Sequence, residues 1–308
     1  MKILIAPSTF SSFDESPIKI IEDNNFEIIK NEYGKKLNHD QLLNLSKNCI
    51  GIIAGTEKYT KEVLIQMPNL KVISRLGVGM DNIDLDFAVK QKIKIYKSET
   101  SPSLAVAELT LAHILNLLRK ITHSNNNLKK GKWVKSMGML LSGKKLGIIG
   151  LGNIGKKLVK LCSGFNLEII AYDKYRDQSF ADEHNVVYKP LDDLLSQSDI
   201  ISIHLNLTNE THSLIGKEKL KLVKKSAILI NTSRGEILDE DSITKCVEDR
   251  LISGVGLDVF SKEPYSGPLI KFENVILTPH ISAYAKEIRI KMELESSKNL
   301  IKGLLYEI

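Results

Sequence analysis

The chain is predicted to be an α/β protein, with a doubly wound parallel sheet and a second, smaller α/β unit. Three observations point there. Residues 147–155 read GIIGLGNIG, an apolar strand running into a glycine-rich turn, and the next apolar run ends in Asp173, eighteen residues past Gly155. From Lys145 onward, β-rich apolar runs recur at the spacing of βαβ units. At 308 residues the chain is long for one core, so two domains are the default.

Taken in order, residues 2–6, 50–54, 72–75 and 93–96 read as strands of one small α/β unit. Residues 103–121 carry apolar side chains at helical spacing, with Pro102 beside the start, where proline is tolerated. This reads as a connecting helix. Strand candidates follow at 145–149, 168–172, 199–205, 227–231, 254–259 and 275–277. The last helix, 285–305, is followed by no strand and is expected to return to the first domain. The expected division is 1–98 with 285–308 against 99–284.

The glycines define a ligand. Gly150 permits the tight turn, Gly152 removes a side chain that would block a pyrophosphate, and Gly155 lets the next helix approach its strand. The helix N-terminus turns unpaired N–H groups toward the phosphates. A carboxylate at Asp173 can accept from ribose hydroxyls and repels a 2′-phosphate, which favours NAD over NADP. Lys174 and Arg176 would serve NADP if Asp173 turned away. A methyltransferase sheet can show a similar loop, so the rest of the chain must decide.

Composition narrows the class. The sequence is 43% hydrophobic and 26% charged, and no apolar run approaches a membrane span. The opening MKILIAPS is too short a run for a signal peptide. Cys49, Cys162 and Cys246 are scattered and odd in number, suggesting neither disulfides nor a metal site, and a cytoplasmic setting fits. Although the net charge is +6, the lysines read as spread among acids, so no nucleic-acid partner is expected. A mildly basic enzyme draws anionic substrates by long-range attraction.

In an open α/β sheet, ligands sit beyond the carboxyl ends of the strands. Three residues stand there: Arg234 in NTSRGEI, Glu263 in SKEP and His280 in PHISA. Arg234 offers a planar fork for a carboxylate. His280 suits proton transfer at neutral pH, and Glu263 can hold its other ring nitrogen. Singly, each also fits a surface cation, a loop acid or a capped turn. Together, behind a dinucleotide loop, they point to a general acid/base and a carboxylate clamp.

With these residues the chain resembles the D-isomer-specific 2-hydroxyacid dehydrogenases, and most closely the short phosphoglycerate dehydrogenase-like members. The resemblance runs through RLGVGMDNID, AVAELTLAHIL, GKWVKSMGMLLSGKKLGIIGLGNIG, HLNLTNETHSLIG, NTSRGEILDE, GVGLDVFSKEP and TPHISA, in the family's order. It implies a Rossmann-type cofactor domain, a flavodoxin-like substrate domain, and catalysis by Arg234, Glu263 and His280. It also implies cofactor contacts from Asn153, Ile154, Asp173, Thr232 with Ser233, and Asp258 near the nicotinamide carboxamide. Asn206, Ser282 and Ala283 fall on the cofactor rim, where the family often has other residues. Val78 and Gly79, with Asn82 nearby, are expected at the substrate carboxylate. An arginine that well-known phosphoglycerate enzymes carry aligns with Gly55, which leaves Lys58 and Arg75 as candidate phosphate ligands.

The implied activity is NAD-dependent interconversion of a D-2-hydroxy acid and its 2-oxo acid, with 3-phosphoglycerate leading and glyoxylate, hydroxypyruvate or another acid close behind. Closure between the two domains would exclude water. An NAD(H)-responsive corepressor is the rival from another class. Residues 125–141, with Trp133 and two methionines, are an ordinary surface loop or, as the resemblance implies, the arm of a homodimer.

Overall fold

The computed structural model describes residues 1–305. The chain divides into two compact units, Met1–Pro102 with the segment from Tyr284 onward, and Ser103–Ala283.

The first unit is built on strands β1 (Lys2–Ile5), β2 (Glu27–Lys30), β3 (Cys49–Ala54), β4 (Val72–Arg75) and β5 (Lys94–Lys97). All pair in parallel, in the order β2-β1-β3-β4-β5, which is the flavodoxin-like order. β2 was not legible as a strand: it is a four-residue edge strand with lysine and glutamate at its ends and no fully buried residue, so its apolar signal is weak.

The helix Lys286–Leu305 packs on this sheet. Its Met292, Leu300 and Ile301 join Ile3, Ile5, Ile53 and Val72 in one apolar cluster. Close approach needs small residues: a Cβ on Gly51 would lie 2.9 Å from Leu300 Cδ1, and one on Gly303 2.7 Å from the Tyr96 ring. Ser74 Oγ also donates to the Ser296 carbonyl at 2.8 Å.

The second unit holds β6 (Lys145–Ile149), β7 (Glu168–Tyr172), β8 (Val186–Tyr188), β9 (Ile200–Ile203), β10 (Ile228–Asn231), β11 (Gly254–Leu257) and β12 (Val275–Leu277). Their parallel order is β12-β11-β10-β9-β6-β7-β8. β9, β10 and β11 are buried along their whole length, as expected for central strands covered on both faces. One apolar core covers the face carrying Ile149, Ile201 and Leu229. The other sets Ile148, Ile200 and Ile230 against Ile114 and Leu118 of the helix Ser103–Arg119. β8, only three residues long at the sheet edge, was also missed from sequence. Strands are added outward in one direction from β6 to β8 and in the other from β9 to β12, so the boundary between β6 and β9 is the switch point where such sheets bind ligands.

Among the described residues, no helix is long and apolar enough to cross a membrane. All three cysteines are free thiols. Burial pushes the Cys49 and Cys162 thiols up to about 11.

Candidate active site

The glycine loop follows β6 at the switch point. Gly150 has φ +98°, and a Cβ there would sit 2.7 Å from the His204 carbonyl oxygen. Only glycine meets both demands. A Cβ on Gly155 would lie 2.5 Å from the Gly150 carbonyl, so the helix Asn153–Leu161 can come down onto the loop. At Gly152 a Cβ would meet nothing within 4 Å. That open space lies at the N-cap of a helix without a side-chain cap, and it fits a pyrophosphate. Asn153 and Ile154 form the first turn.

Asp173 closes β7 and is tied to the loop. Its Oδ2 accepts from Leu151 N at 2.7 Å, and its Oδ1 accepts from Tyr175 N at 2.8 Å. Each oxygen keeps a further lone pair for a ribose hydroxyl. The two basic neighbours hold partners of their own. Lys174 Nζ donates to Glu210 at 2.9 Å, and the Arg176 guanidinium lies 5.4 Å from the centre of the Tyr188 ring. These contacts favour NAD over NADP.

His204 follows β9, and its N–H donates to the Ile149 carbonyl at 2.7 Å. Its Nε2 meets Ser202 Oγ at 2.8 Å, while Nδ1 is enclosed without a partner. Burial pulls this imidazole down to about 3. The ring is neutral at physiological pH, and it is the His204 backbone carbonyl that closes against Gly150.

The three proposed catalytic residues all belong to the second unit. After β10, Asn231 organises a tight turn: its Oδ1 accepts from Ser233 N and Oγ at 3.0 and 2.7 Å, and its Nδ2 donates to the Arg234 carbonyl at 2.8 Å. Gly235 must then be a glycine, because a Cβ would run into the Phe260 backbone. The half-buried Arg234 side chain donates through Nη1 to the Ser233 carbonyl at 2.8 Å, one of its five N–H groups. Thr232 is buried, with its hydroxyl 2.9 Å from that of Thr110.

After β11, the Glu263 carboxylate accepts from Phe260 N at 3.3 Å and meets His280 Nδ1 at 3.0 Å from both oxygens. The His280 side chain is 31% exposed and that of Glu263 16%. An Nδ1–H held by the carboxylate leaves Nε2 as the nitrogen that can exchange a proton with a ligand. His280 adopts φ +56°, uncommon for a residue with a side chain, so its turn must be held by other bonds.

Those bonds come from Asp258, which is fully buried. The His280 N–H donates to the Asp258 carbonyl at 2.9 Å. The Asp258 carboxylate accepts from Thr278 Oγ1 at 2.6 Å and from the N–H groups of Ile281 and Ser282, both at 2.8 Å. Ser282 is buried and Ala283 half-buried beside it, whereas Asn206 is exposed on the loop after β9. The role of Asp258 in holding this turn gave no signal in the sequence.

The first unit contains the candidates for the substrate's acid group. Val78 is 42% exposed, and Gly79 is half-buried. Asn82 is engaged within its own unit. Its Nδ2 donates to the carbonyls of Gly55 and Glu57 at 3.1 and 2.6 Å, and its Oδ1 accepts from Arg75 Nε at 3.4 Å. It braces the loop, and these bonds occupy the groups it would offer a carboxylate. Arg75 is 8% exposed, with Nη1 bonded to the Leu76 carbonyl and packed over Gly77, whose φ is +146°. Lys58 is exposed. Glu57, which sequence reasoning passed over, is buried at 3% exposure, and its Oε2 accepts from Gly55 N at 2.9 Å. Burial raises its carboxyl above the usual range, although Arg75 opposes the shift.

Comparison with known proteins places the chain in a family. The family described as D-isomer specific 2-hydroxyacid dehydrogenase, NAD binding domain, matches residues 111–282. A glyoxylate reductase from Thermococcus litoralis is 40% identical over 256 residues, covering 80% of this chain and 77% of that protein. A D-3-phosphoglycerate dehydrogenase from Archaeoglobus fulgidus is 33% identical over 99% of this chain, which spans 58% of that longer protein. The crystal structure of D-lactate dehydrogenase from Aquifex aeolicus, complexed with NAD and lactic acid, matches with a TM-score of 0.82 at 29% identity, covering 98% of this chain and 95% of that one. The family match over more than half of the chain and the similarity to these relatives show that the chain belongs to the NAD-dependent D-isomer-specific 2-hydroxyacid dehydrogenases.

Proposed function

We propose that this protein reduces a small, unphosphorylated 2-oxo acid of the glyoxylate or hydroxypyruvate type, and oxidises the corresponding 2-hydroxy acid. The observation that carries the choice of substrate is the end of β3. There the buried Glu57 carboxyl caps Gly55, and the Arg75 guanidinium is turned inward onto Leu76 and Asn82. A phosphate dianion at this loop would meet the buried Glu57 carboxyl, on which Lys36 and Arg75 already act, beside the exposed Lys58, where binding calls for cations free to pair with it.

Bound NAD supplies the ring that gives or takes hydride. Arg234 is proposed to grip the carboxylate and polarise the C2 oxygen of the oxo acid. In the first unit, the amides of Val78 and Gly79 are proposed to donate to the same class of acid group. His280, held by Glu263, protonates the C2 oxygen through Nε2 during reduction and removes that proton during oxidation. The Glu263 carboxylate stabilises the imidazolium that oxidation leaves behind.

A panel of 2-oxo acids with NADH or NADPH tests this reading. We expect kcat/KM for glyoxylate or hydroxypyruvate to exceed that for 3-phosphohydroxypyruvate by at least about tenfold, one pairing interaction, with NADH preferred. The similarity to phosphoglycerate dehydrogenases favours the second reading, and a preference for the phosphorylated acid would establish it. Tight NADH binding without turnover of any acid would turn attention to a corepressor or sensor.

We also propose a homodimer through the segment after the helix Ile121–Lys129. Trp133, Met137 and Leu140 are 80%, 88% and 71% exposed in the single chain, three large apolar side chains left to solvent within one short segment, which supports a partner surface there. The expectation of evenly spread lysines fails here. Residues 109–167 contain eleven lysines and arginines and no acid, although Lys145 and Lys156 pair with Glu168 and Asp177 further along the chain. Light scattering should give about twice the monomer mass, and Trp133→Asp with Met137→Asp should shift it toward the monomer.

A further inference from the structure

We infer that Asp258, Thr278 and His113 form a buried positioning network that holds the turn bearing His280, with the His113 ring fixed as its Nε2–H tautomer. The inference rests on His280 as the proton-transferring residue proposed above.

Chemistry sets the direction of each bond. Both oxygens of the Asp258 side chain accept backbone N–H groups, and the Thr278 hydroxyl, 2.6 Å away, donates to Oδ1. That hydroxyl has no second proton. His113 Nε2, 3.1 Å from the same oxygen, must therefore be the donor. The opposite ring nitrogen confirms the assignment. His113 Nδ1 is buried without a partner, and it faces Gly256, where an added Cβ would lie 2.8 Å from it. A bare lone pair is tolerated in such a place far better than an orphaned N–H. Burial lowers the His113 pKa, although the Asp258 carboxylate opposes the shift, so the ring stays neutral.

The network ends on the catalytic turn. Three of the roughly four acceptor sites of the Asp258 carboxylate are taken by the Thr278 hydroxyl and by the N–H groups of Ile281 and Ser282. Those two amides directly follow His280, whose positive φ needs such restraint. Thr278 lies two residues before His280, so both flanks of the turn are tied to one buried acid. His113 lies on the helix Ser103–Arg119 and anchors the arrangement to the core. Asp258 is thus a positioning residue for His280. The resemblance placed it at the nicotinamide carboxamide, and its remaining acceptor site is still compatible with that role.

The test combines two conservative variants with a spectroscopic readout. Thr278→Val keeps the volume and removes the hydroxyl, whereas Thr278→Ser keeps the hydroxyl. We expect Thr278→Val to lower kcat at least tenfold while KM and the NADH dissociation constant stay within threefold, and Thr278→Ser to restore kcat to within threefold of wild type. In protein labelled with ring ¹⁵N-histidine, His113 should show a neutral Nε2–H tautomer at pH 7. Its N–H proton should be slow to exchange in wild type and in Thr278→Ser, and shifted in Thr278→Val. Normal turnover in Thr278→Val, equal loss in Thr278→Ser, or an Nδ1–H tautomer at His113 would each overturn the network. The wild-type tautomer decides the point if Thr278→Val does not fold. It also does so if wild type turns over no 2-oxo acid, an outcome that counts against the proposed function alone.

Discussion

His280→Asn is expected to cut kcat by about 10²–10⁴-fold, the usual worth of a positioned general acid or base, while NADH binds within threefold of its wild-type affinity. Asparagine is the informative replacement because it tolerates the left-handed conformation that His280 occupies at φ +56°. The turn held by Asp258 should therefore survive. What is lost is a ring with two nitrogens, one fixed 3.0 Å from Glu263 and the other able to exchange a proton. Steady-state kinetics in both directions, with NADH titration by fluorescence, make the check. Near-wild-type kcat in this variant would remove His280 from the mechanism. Weakened NADH binding in parallel with kcat would show that the substitution had disturbed the nucleotide cradle instead.

Arg234→Lys should lower kcat/KM for the 2-oxo acid by roughly 10²-fold, comparable to removing a preorganised donor from a developing charge. A lysine keeps the positive charge and loses the fork that grips a carboxylate with two parallel bonds. It also loses the Nη1 bond to the Ser233 carbonyl that orients the guanidinium. If Arg234 holds the acid group in both ground and transition states, KM rises. If it mainly polarises the C2 oxygen, kcat falls at constant KM. Unchanged kcat/KM would contradict both roles. The glycine at position 235 makes the experiment clean, since the close approach of Phe260 fixes the backbone at this point whatever side chain residue 234 carries.

Much of this protein is written in local sequence. The glycine pattern at 150, 152 and 155 announces the nucleotide loop: Gly150 needs a positive φ, Gly155 admits a close helix, and at Gly152 the missing side chain leaves open space that a pyrophosphate can fill. The central strands β9, β10 and β11 were legible because burial on both faces demands continuous apolar runs. The edge strands β2 and β8 were not, since a short strand with one solvated side carries little hydrophobic signal. Arg234, Glu263 and His280 could be named from their places after successive strands, because a parallel sheet delivers every such position to one edge. Their pairing, at 3.0 Å between His280 and Glu263, came from tertiary structure.

The tertiary structure alone decided which polar groups are spent on the protein itself. Arg75 and Asn82 look from sequence like ligands for an anionic substrate, yet folding turns the first inward and engages both amide protons of the second. Glu57, which gave no signal in the sequence, is buried beside them. His113 reads as a histidine on an apolar helix face, and only the fold brings it to Thr278, 165 residues later. Sequence thus determined the residue types and the strand ends that present them, because those follow from local periodicity and backbone freedom. Whether a given donor or acceptor remains available to a ligand depends on neighbours distant along the chain, and that was settled only when the sheet and its loops closed around each group.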